Sequence, residues 1–192
     1  MSQPHTQPVS AVILRHFEAA RTAFVSGRFD AAIAQWRQAL RNLESEVNTQ
    51  EARAGCHLQI GRSSLLLGHL DEARFHFEQA EQLFNTSFEP CVGAVYARLG
   101  RAEVYLQQSE ADLSCRLSAQ VIAEIESQDE ASVIAHAYRI HAEALELLGA
   151  VIPAINAYNS ARCAYIGMED QTAARACAEQ IQVLLDTYVP EN

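Results

Sequence analysis

The chain has 192 residues, enough for one core or one short array of repeats, and 32 of them are alanine, which favours helices. Its net charge of −10 excludes nucleic acid and anionic membranes as favoured partners, because both would be repelled. All 14 basic residues are arginines, and the planar guanidinium of arginine suits carboxylates.

The sequence also indicates a cellular setting. No apolar stretch approaches the roughly 20 residues that a membrane-spanning helix needs. The short apolar run that ends at Leu14 is followed at once by Arg15 and His16, which is unlike a signal peptide. The five cysteines contain no Cys-x-x-Cys pair, so we expect reduced, mostly buried thiols in place of a metal or redox site. These features together predict a cytoplasmic protein.

Apolar residues at helical spacing, separated by glycine, proline and polar breaks, predict an all-α fold without strands. We expect a disordered tail over 1–8, a single domain over 9–188 and a short tail over 189–192. The last predicted helix has one apolar side, which is typical of a capping helix at the end of a repeat array. In chain order the predicted helices are 9–26, 29–46, 50–67, 70–85, 90–107, 110–126, 129–148, 151–166 and 170–188.

The residues at the breaks support these boundaries. Ser127 with Glu130 three residues later is the pattern of a capping box before the seventh helix. Asp170 is placed to cap the ninth helix. Glycines just past apolar runs are expected to end helices in the left-handed conformation. They are Gly27, Gly68, Gly149 and Gly167.

One spacing pattern occurs three times: a glycine, an alanine five residues later, an aromatic residue four further on, and an alanine three after that. The steps between the glycines are 41 and 81 residues, which predicts a degenerate copy in the middle. The small residues allow two helices to approach, and the aromatic residue fills the space between them. Such a two-helix unit must stack to bury its faces. The copies are Gly27, Ala32, Trp36, Ala39; Gly68, Ala73, Phe77, Ala80; and Gly149, Ala154, Tyr158, Ala161.

These residues resemble the tetratricopeptide repeat (TPR) family over about residues 13–166, and Ile60 and Gly61 match it as well. The period of about 40 residues is similar to the longer-helix variety of that family. HEAT and armadillo repeats have a similar period but lack the spacing pattern. The resemblance implies an α-solenoid of four TPR-like helix hairpins plus the capping helix. Its units would begin near Ile13, Ala54, Gly93 and Ala135.

The third unit departs from the pattern in its second helix. Leu99 and Gly100 fit the first helix of this unit well. Two frames remain open for the second helix: Asp112, Arg116 and Ala119, or Ala111, Cys115 and Ser118.

The resemblance implies that the first helix of each hairpin lines a concave groove. Aligning the four units puts Arg21, Arg62, Arg101 and Glu143 at one equivalent position. Such arginines could bind carboxylates of a partner peptide through paired hydrogen bonds. Alternatively, they pair with acids of neighbouring repeats or lie on a solvated face. The predicted groove residues are Arg21, Arg62, Arg98, Arg101, Arg139, Gln59, Phe17 and His136.

Other residue types carry little sign of chemistry. The histidines lack metal-ligand spacing and are expected at helix surfaces or between helices. Ser63 and Ser64 lack the glycine context of a nucleophile elbow. We therefore predict a chain that is not an enzyme and that takes no cofactor and no metal.

The predicted function is that of an adaptor or scaffold whose groove binds a protein or peptide that carries acidic groups. Two alternatives remain: a regulatory sensor module of a bacterial signalling or transcription system, and a secretion-type chaperone. Neither nucleic acid nor membrane is an expected partner, and a homodimer is possible.

Overall fold

The computed structural model describes residues 10–86, 91–125 and 130–188. Those residues form nine α-helices and no strand. The two predicted tails and Ser127 of the predicted capping box lie outside the described residues. The helices are α1 (Ala11–Val25), α2 (Phe29–Leu43), α3 (Gln50–Leu66), α4 (Leu70–Phe84), α5 (Val92–Gln107), α6 (Ala111–Ile125), α7 (Ala131–Leu147), α8 (Val151–Gly167) and α9 (Gln171–Thr187).

All nine predicted helices are therefore confirmed, with two local differences. Helix α2 ends at Leu43, three residues earlier than predicted. Gly167 does not end its helix in the left-handed conformation as predicted, because it is the last residue of α8 and Glu169 takes the positive φ of 62°. Asp170 caps α9 as predicted, since its carboxylate accepts a hydrogen bond from the Ala173 amide at 3.0 Å.

The helices pack as consecutive pairs. Helix α1 packs on α2, α3 on α4, and α7 on α8, and further contacts join α2 to α3, α6 to α7, and α8 to α9. The chain divides into two compact units, Met1–Gly100 and Arg101–Asn192, so the division falls within α5. We refer to them as unit 1 and unit 2.

The recurring spacing pattern forms the core of each hairpin. All nine alanine and aromatic positions of the three complete copies are buried. Gly27, Gly68 and Gly149 have φ between 70° and 75°, which glycine adopts without a Cβ clash. In unit 1 the Phe77 ring lies against two glycines: a Cβ on Gly61 would come within 2.9 Å of it, and one on Gly100 within 2.5 Å.

The degenerate copy lies at Ser109, and both predicted frames are wrong. Ser109 has φ 62° and so takes the place of the glycine, with spacings of 41, 41 and 40 residues between the left-handed positions Gly27, Gly68, Ser109 and Gly149. The buried positions of α6 follow in the same register, since Ser114, Ser118 and Val121 are all fully buried. Three residues of the predicted frames are exposed: Asp112, Arg116 and Ala119.

A serine therefore stands where the other copies have an aromatic ring. The Ser118 hydroxyl lies 3.0 Å from Nδ1 of His141 on α7, and Cys115 Sγ lies 3.7 Å from the same nitrogen. Because Ser118 is small, the imidazole of the following hairpin occupies this region. Burial lowers the pKa of His141, which favours the neutral ring.

Helix α9 has the character of a capping helix. Its buried side consists of Ala174, Cys177, Ile181 and Leu184, which join the core of α7 and α8. Its outer side carries local polar pairs, including an Arg175–Glu179 ion pair at 3.0 Å. A polar outer face of this kind allows a repeat array to end in water.

Unit 1 contains a buried histidine pair. Nδ1 of His57 on α3 lies 2.9 Å from Nδ1 of His76 on α4, so one ring must donate the hydrogen and the other must accept it. Burial is the main cause that lowers the pKa of both rings, and brings that of His76 to about 4. The charge of Arg53 also lowers the pKa of His57, whereas Glu44 raises it. In the same way, Arg37 lowers the pKa of His76 and Glu72 raises it.

We expect Phe77→Ala to lower the free energy of unfolding by about 3–5 kcal/mol, because it opens a cavity between two glycines that cannot fill it. Urea denaturation followed by circular dichroism measures this. Phe75→Ala is the matched control on the same helix, since Phe75 is half exposed, and should change stability by about 0.5 kcal/mol or less. Equal losses in both variants would contradict this account of the core.

The histidine pair predicts a loss of stability in mild acid. The unfolded chain takes up protons near pH 6.5, whereas folded His76 does so only near pH 4. The stabilisation is thus present above pH 6.5 and is lost as pH falls towards 4, by about 2–3 kcal/mol in all.

Urea denaturation at a series of pH values tests this, and His76→Phe should flatten the pH dependence. The control His69→Phe alters an exposed ring at the N-cap of the same helix and should leave the dependence in place. An unchanged slope in His76→Phe would assign the acid sensitivity to other groups.

Candidate functional site

The odd-numbered helices α1 and α3 carry two exposed arginines in unit 1. Arg21 lies on α1 and Arg62 on α3, and both side chains are exposed. The guanidinium carbon of Arg62 sits 5.5 Å from the centre of the Phe24 ring, a cation–π contact between the two helices. Within the described residues, no carboxylate lies within ion-pair distance of either guanidinium. Both charges therefore remain available to a partner.

The other predicted groove residues of unit 1 are less exposed. The Phe17 ring lies 5.4 Å from that of Trp36, so it packs within the first hairpin. Gln59 is half-buried on α3. Arg98 is also half-buried, and its Nε donates a hydrogen bond to Glu81 at 2.9 Å. The internal pairing that the sequence left open thus occurs at Arg98.

The register set by Ser109 changes which residues are equivalent. Counting back six residues from each left-handed position gives Arg21, Arg62, Glu103 and Glu143. The predicted equivalence of Arg101 was therefore wrong by two residues. Burial supports the new register, because Ala20, Gly61, Ala102 and Ala142, one residue earlier, are all buried. Arg101 itself is half-buried on α5.

In unit 2 the predicted residues His136 and Arg139 meet two carboxylates. The Arg139 guanidinium lies 3.3 Å from Glu103 and also bonds Glu143 one turn along α7. Nε2 of His136 lies 3.3 Å from the other oxygen of Glu103 and 3.1 Å from the Arg139 guanidinium. One arginine is thus shared between two acids.

This geometry shifts the ionisation of the central groups. Burial opposes the charge of Glu103, but the hydrogen bond from His136 and the charge of Arg139 hold its pKa below the usual value. Burial likewise opposes the charge of Arg139, yet Glu143 and Glu103 raise its pKa. Glu103 and Arg139 are therefore both charged at neutral pH.

Beside this cluster, residues of α5, α7, α8 and α9 line an open pocket of about 620 Å³. Glu146 lies in its wall and accepts hydrogen bonds from the Tyr158 hydroxyl at 2.9 Å and from Gln180 at 2.7 Å. Tyr158 and Tyr165 are buried residues of α8 that contribute to the lining, and Leu147 adds an apolar wall. A volume of this size is within the range of ligand sites in proteins.

Sequence reasoning did not find most of this pocket. Glu146 is one of the neighbouring-repeat acids of the internal-pairing alternative, and the spacing pattern places Tyr158 in the core. Gln180 was assigned to a helix that merely caps the array. The spacing of Arg139, Glu143 and Glu146 along α7 was the available signal, because residues three and four apart share a helix face.

Other candidate chemistry finds little support in the described residues. No group of three or more His, Cys, Asp or Glu side chains there could hold a metal ion. No helix among those residues has the length and apolar character to cross a bilayer. All five cysteines are free; two are buried, two half-buried, and Cys163 is exposed.

Comparison with known proteins places the fold. No protein-family model matches the chain, and no curated protein matches it. Solved structures do match. The crystal structure of BtubC (BKLC) from P. vanneervenii has 15% identity and a TM-score of 0.69, over 96% of this chain and 85% of that one. MamA (41-end) from Desulfovibrio magneticus RS-1 has 14% identity and a TM-score of 0.61, over 95% and 99%.

A third match is the Rap conjugation gene regulator of the plasmid pLS20 in complex with the Phr* peptide. It has 13% identity and a TM-score of 0.70, over 94% of this chain and 57% of the other. The fold is an α-solenoid of the TPR type. Its four hairpins are α1–α2, α3–α4, α5–α6 and α7–α8, and α9 is the terminal helix.

We expect Arg139→Met to lower the free energy of unfolding by about 1–3 kcal/mol, because it leaves Glu103 and Glu143 without their shared cation. Adding Glu103→Gln should recover part of the loss, and urea denaturation measures both. Arg175→Met is the control, since its exposed ion pair contributes at most about 1 kcal/mol. An Arg139→Met variant as stable as the native chain would show that the cluster is not coupled.

Proposed function

We propose that this chain is a non-catalytic adaptor that binds a partner peptide or protein segment along its odd-numbered helices, within the groove that the TPR resemblance implies. The observation that carries the proposal is the pair of exposed arginines, Arg21 and Arg62, on neighbouring helices of unit 1. Their guanidinium groups have no carboxylate partner within the described residues. Acidic groups of a partner are their natural complement.

The surroundings of Arg62 favour recognition. Stacking on Phe24 restrains the guanidinium, so less side-chain entropy is lost when it binds a carboxylate. The helices themselves are held by buried packing, so little backbone ordering is needed. In contrast, Arg98 and Arg139 already bond carboxylates of this chain. We therefore assign the acid-binding role to Arg21 and Arg62.

A second candidate is a regulatory module that responds to a peptide. It is favoured by the similarity to the Rap regulator that was solved with the Phr* peptide, although this chain spans 57% of the length of that protein. Five free thiols are consistent with a cytoplasmic location for either role. Light scattering with and without peptide distinguishes the two, because a switch in self-association favours the regulatory module.

Selection of short random peptides by the full-length chain provides the probes for a test. We expect the selected peptides to be rich in Asp and Glu. Arg21→Ala with Arg62→Ala should weaken their binding by about tenfold or more, as measured by fluorescence anisotropy, because charge-assisted hydrogen bonds are lost.

The control is Arg28→Ala with Arg41→Ala, which removes the same charge from exposed positions at the ends of α2. It should change binding by no more than about twofold, through long-range electrostatics alone. Equal affinity for the native chain and the Arg21/Arg62 variant, with helix content unchanged, would rule out the proposed contact.

A further inference from the structure

The position equivalent to Arg21 changes sign between the two units. In unit 1 it holds Arg21 and Arg62, and in unit 2 it holds Glu103 and Glu143. The same place in the repeat thus presents cations in one unit and anions in the other. A partner that contacts this position in both units must itself carry both acidic and basic groups.

Arg139 does not restore a positive face in unit 2. Its guanidinium is shared between Glu103 and Glu143, so two negative charges surround one positive charge. A further carboxylate brought to Arg139 would meet both acids at close range and would be repelled. The predicted role of Arg139 in binding acidic groups is thus opposed by its neighbours.

The pocket beside this cluster has spare hydrogen-bond acceptors. Glu146 uses one acceptor position on each oxygen, for Tyr158 and Gln180, which leaves about two of its four lone-pair sites. Glu143 bonds Arg139 through Oε1, and within the described residues its Oε2 has no partner. Among the described residues that line the pocket, Arg139 is the one cation, against two carboxylates.

From this geometry we infer that the unit 2 pocket receives an arginine or lysine side chain of the partner segment, with Glu143 and Glu146 as its acceptors. The cationic head forms charge-assisted hydrogen bonds, while its aliphatic stem packs on Leu106 and Leu147. The volume of about 620 Å³ leaves room for neighbouring peptide atoms. The inference rests on the proposed function and adds a basic group to the acidic groups assigned to unit 1.

The test uses the full-length chain and short peptides that it selects from a random library. Each arginine of a selected peptide is replaced by citrulline, its neutral isostere, and each lysine by norleucine. We expect one such replacement to weaken binding to the native chain by about tenfold or more, since charge-assisted hydrogen bonds are lost. Anisotropy measures the affinity.

Glu143→Gln with Glu146→Gln should abolish that tenfold preference, because the amide retains the size of each side chain but not its charge. Glu146→Gln also keeps an acceptor for Tyr158. The single variant Glu143→Gln, which leaves the bonds of Glu146 intact, should reduce the preference if the double variant folds poorly. The matched control is Glu179→Gln, which removes the same charge from the outer side of α9.

Each outcome bears on a distinct proposal. A basic-residue preference that persists in both Gln variants would place the cationic group elsewhere and overturn the pocket assignment. Selected peptides that respond to the Arg21/Arg62 variant but not to citrulline or norleucine would overturn this inference and leave the proposed function standing. Failure to select any peptide would overturn both.

Discussion

The constraint on which the structure depends is the close approach of helices at positions that have little or no side chain. Phe77 illustrates it, because the ring lies directly over Gly61 and Gly100 and a methyl group at either would overlap it. Each hairpin reaches this approach through a left-handed residue at its turn, which sets where the second helix begins. Spacing between turn and core is therefore fixed, and the remaining positions are free to vary.

Those free positions are where recognition can differ between repeats. The residue six before each turn is not needed for the core, whereas the one before it is buried in every hairpin. The packing thus holds a chemically variable site at a constant place in each repeat. In this chain the variable site has arginine twice and glutamate twice, so a regular scaffold presents an irregular charge pattern.

Sequence reasoning predicted all nine helices because their apolar periodicity and break residues are local signals. It misplaced the third copy because this copy departs from the pattern at two positions. Ser109 adopts the left-handed conformation that is usual for glycine. Ser118 stands in place of an aromatic residue, and His141 from another helix occupies the space beside it. The sequence left open whether Arg98 pairs with Glu81 and Arg139 with Glu103, since each pair joins residues on different helices. A single sequence shows which groups exist but not which are already satisfied.

Whether a charged group is already paired within the chain affects the charge of a surface more than the number of charged residues does. Arginines lie on the odd-numbered helices of both units, and counting them alone predicts one acid-binding surface. Arg62 stacks on an aromatic ring and keeps its charge available, whereas Arg139 is compensated twice by the chain itself. In the proposed pocket, the second carboxylate beside Arg139 would repel a further anion. The charge at the position six residues before each turn therefore differs in sign between the two units.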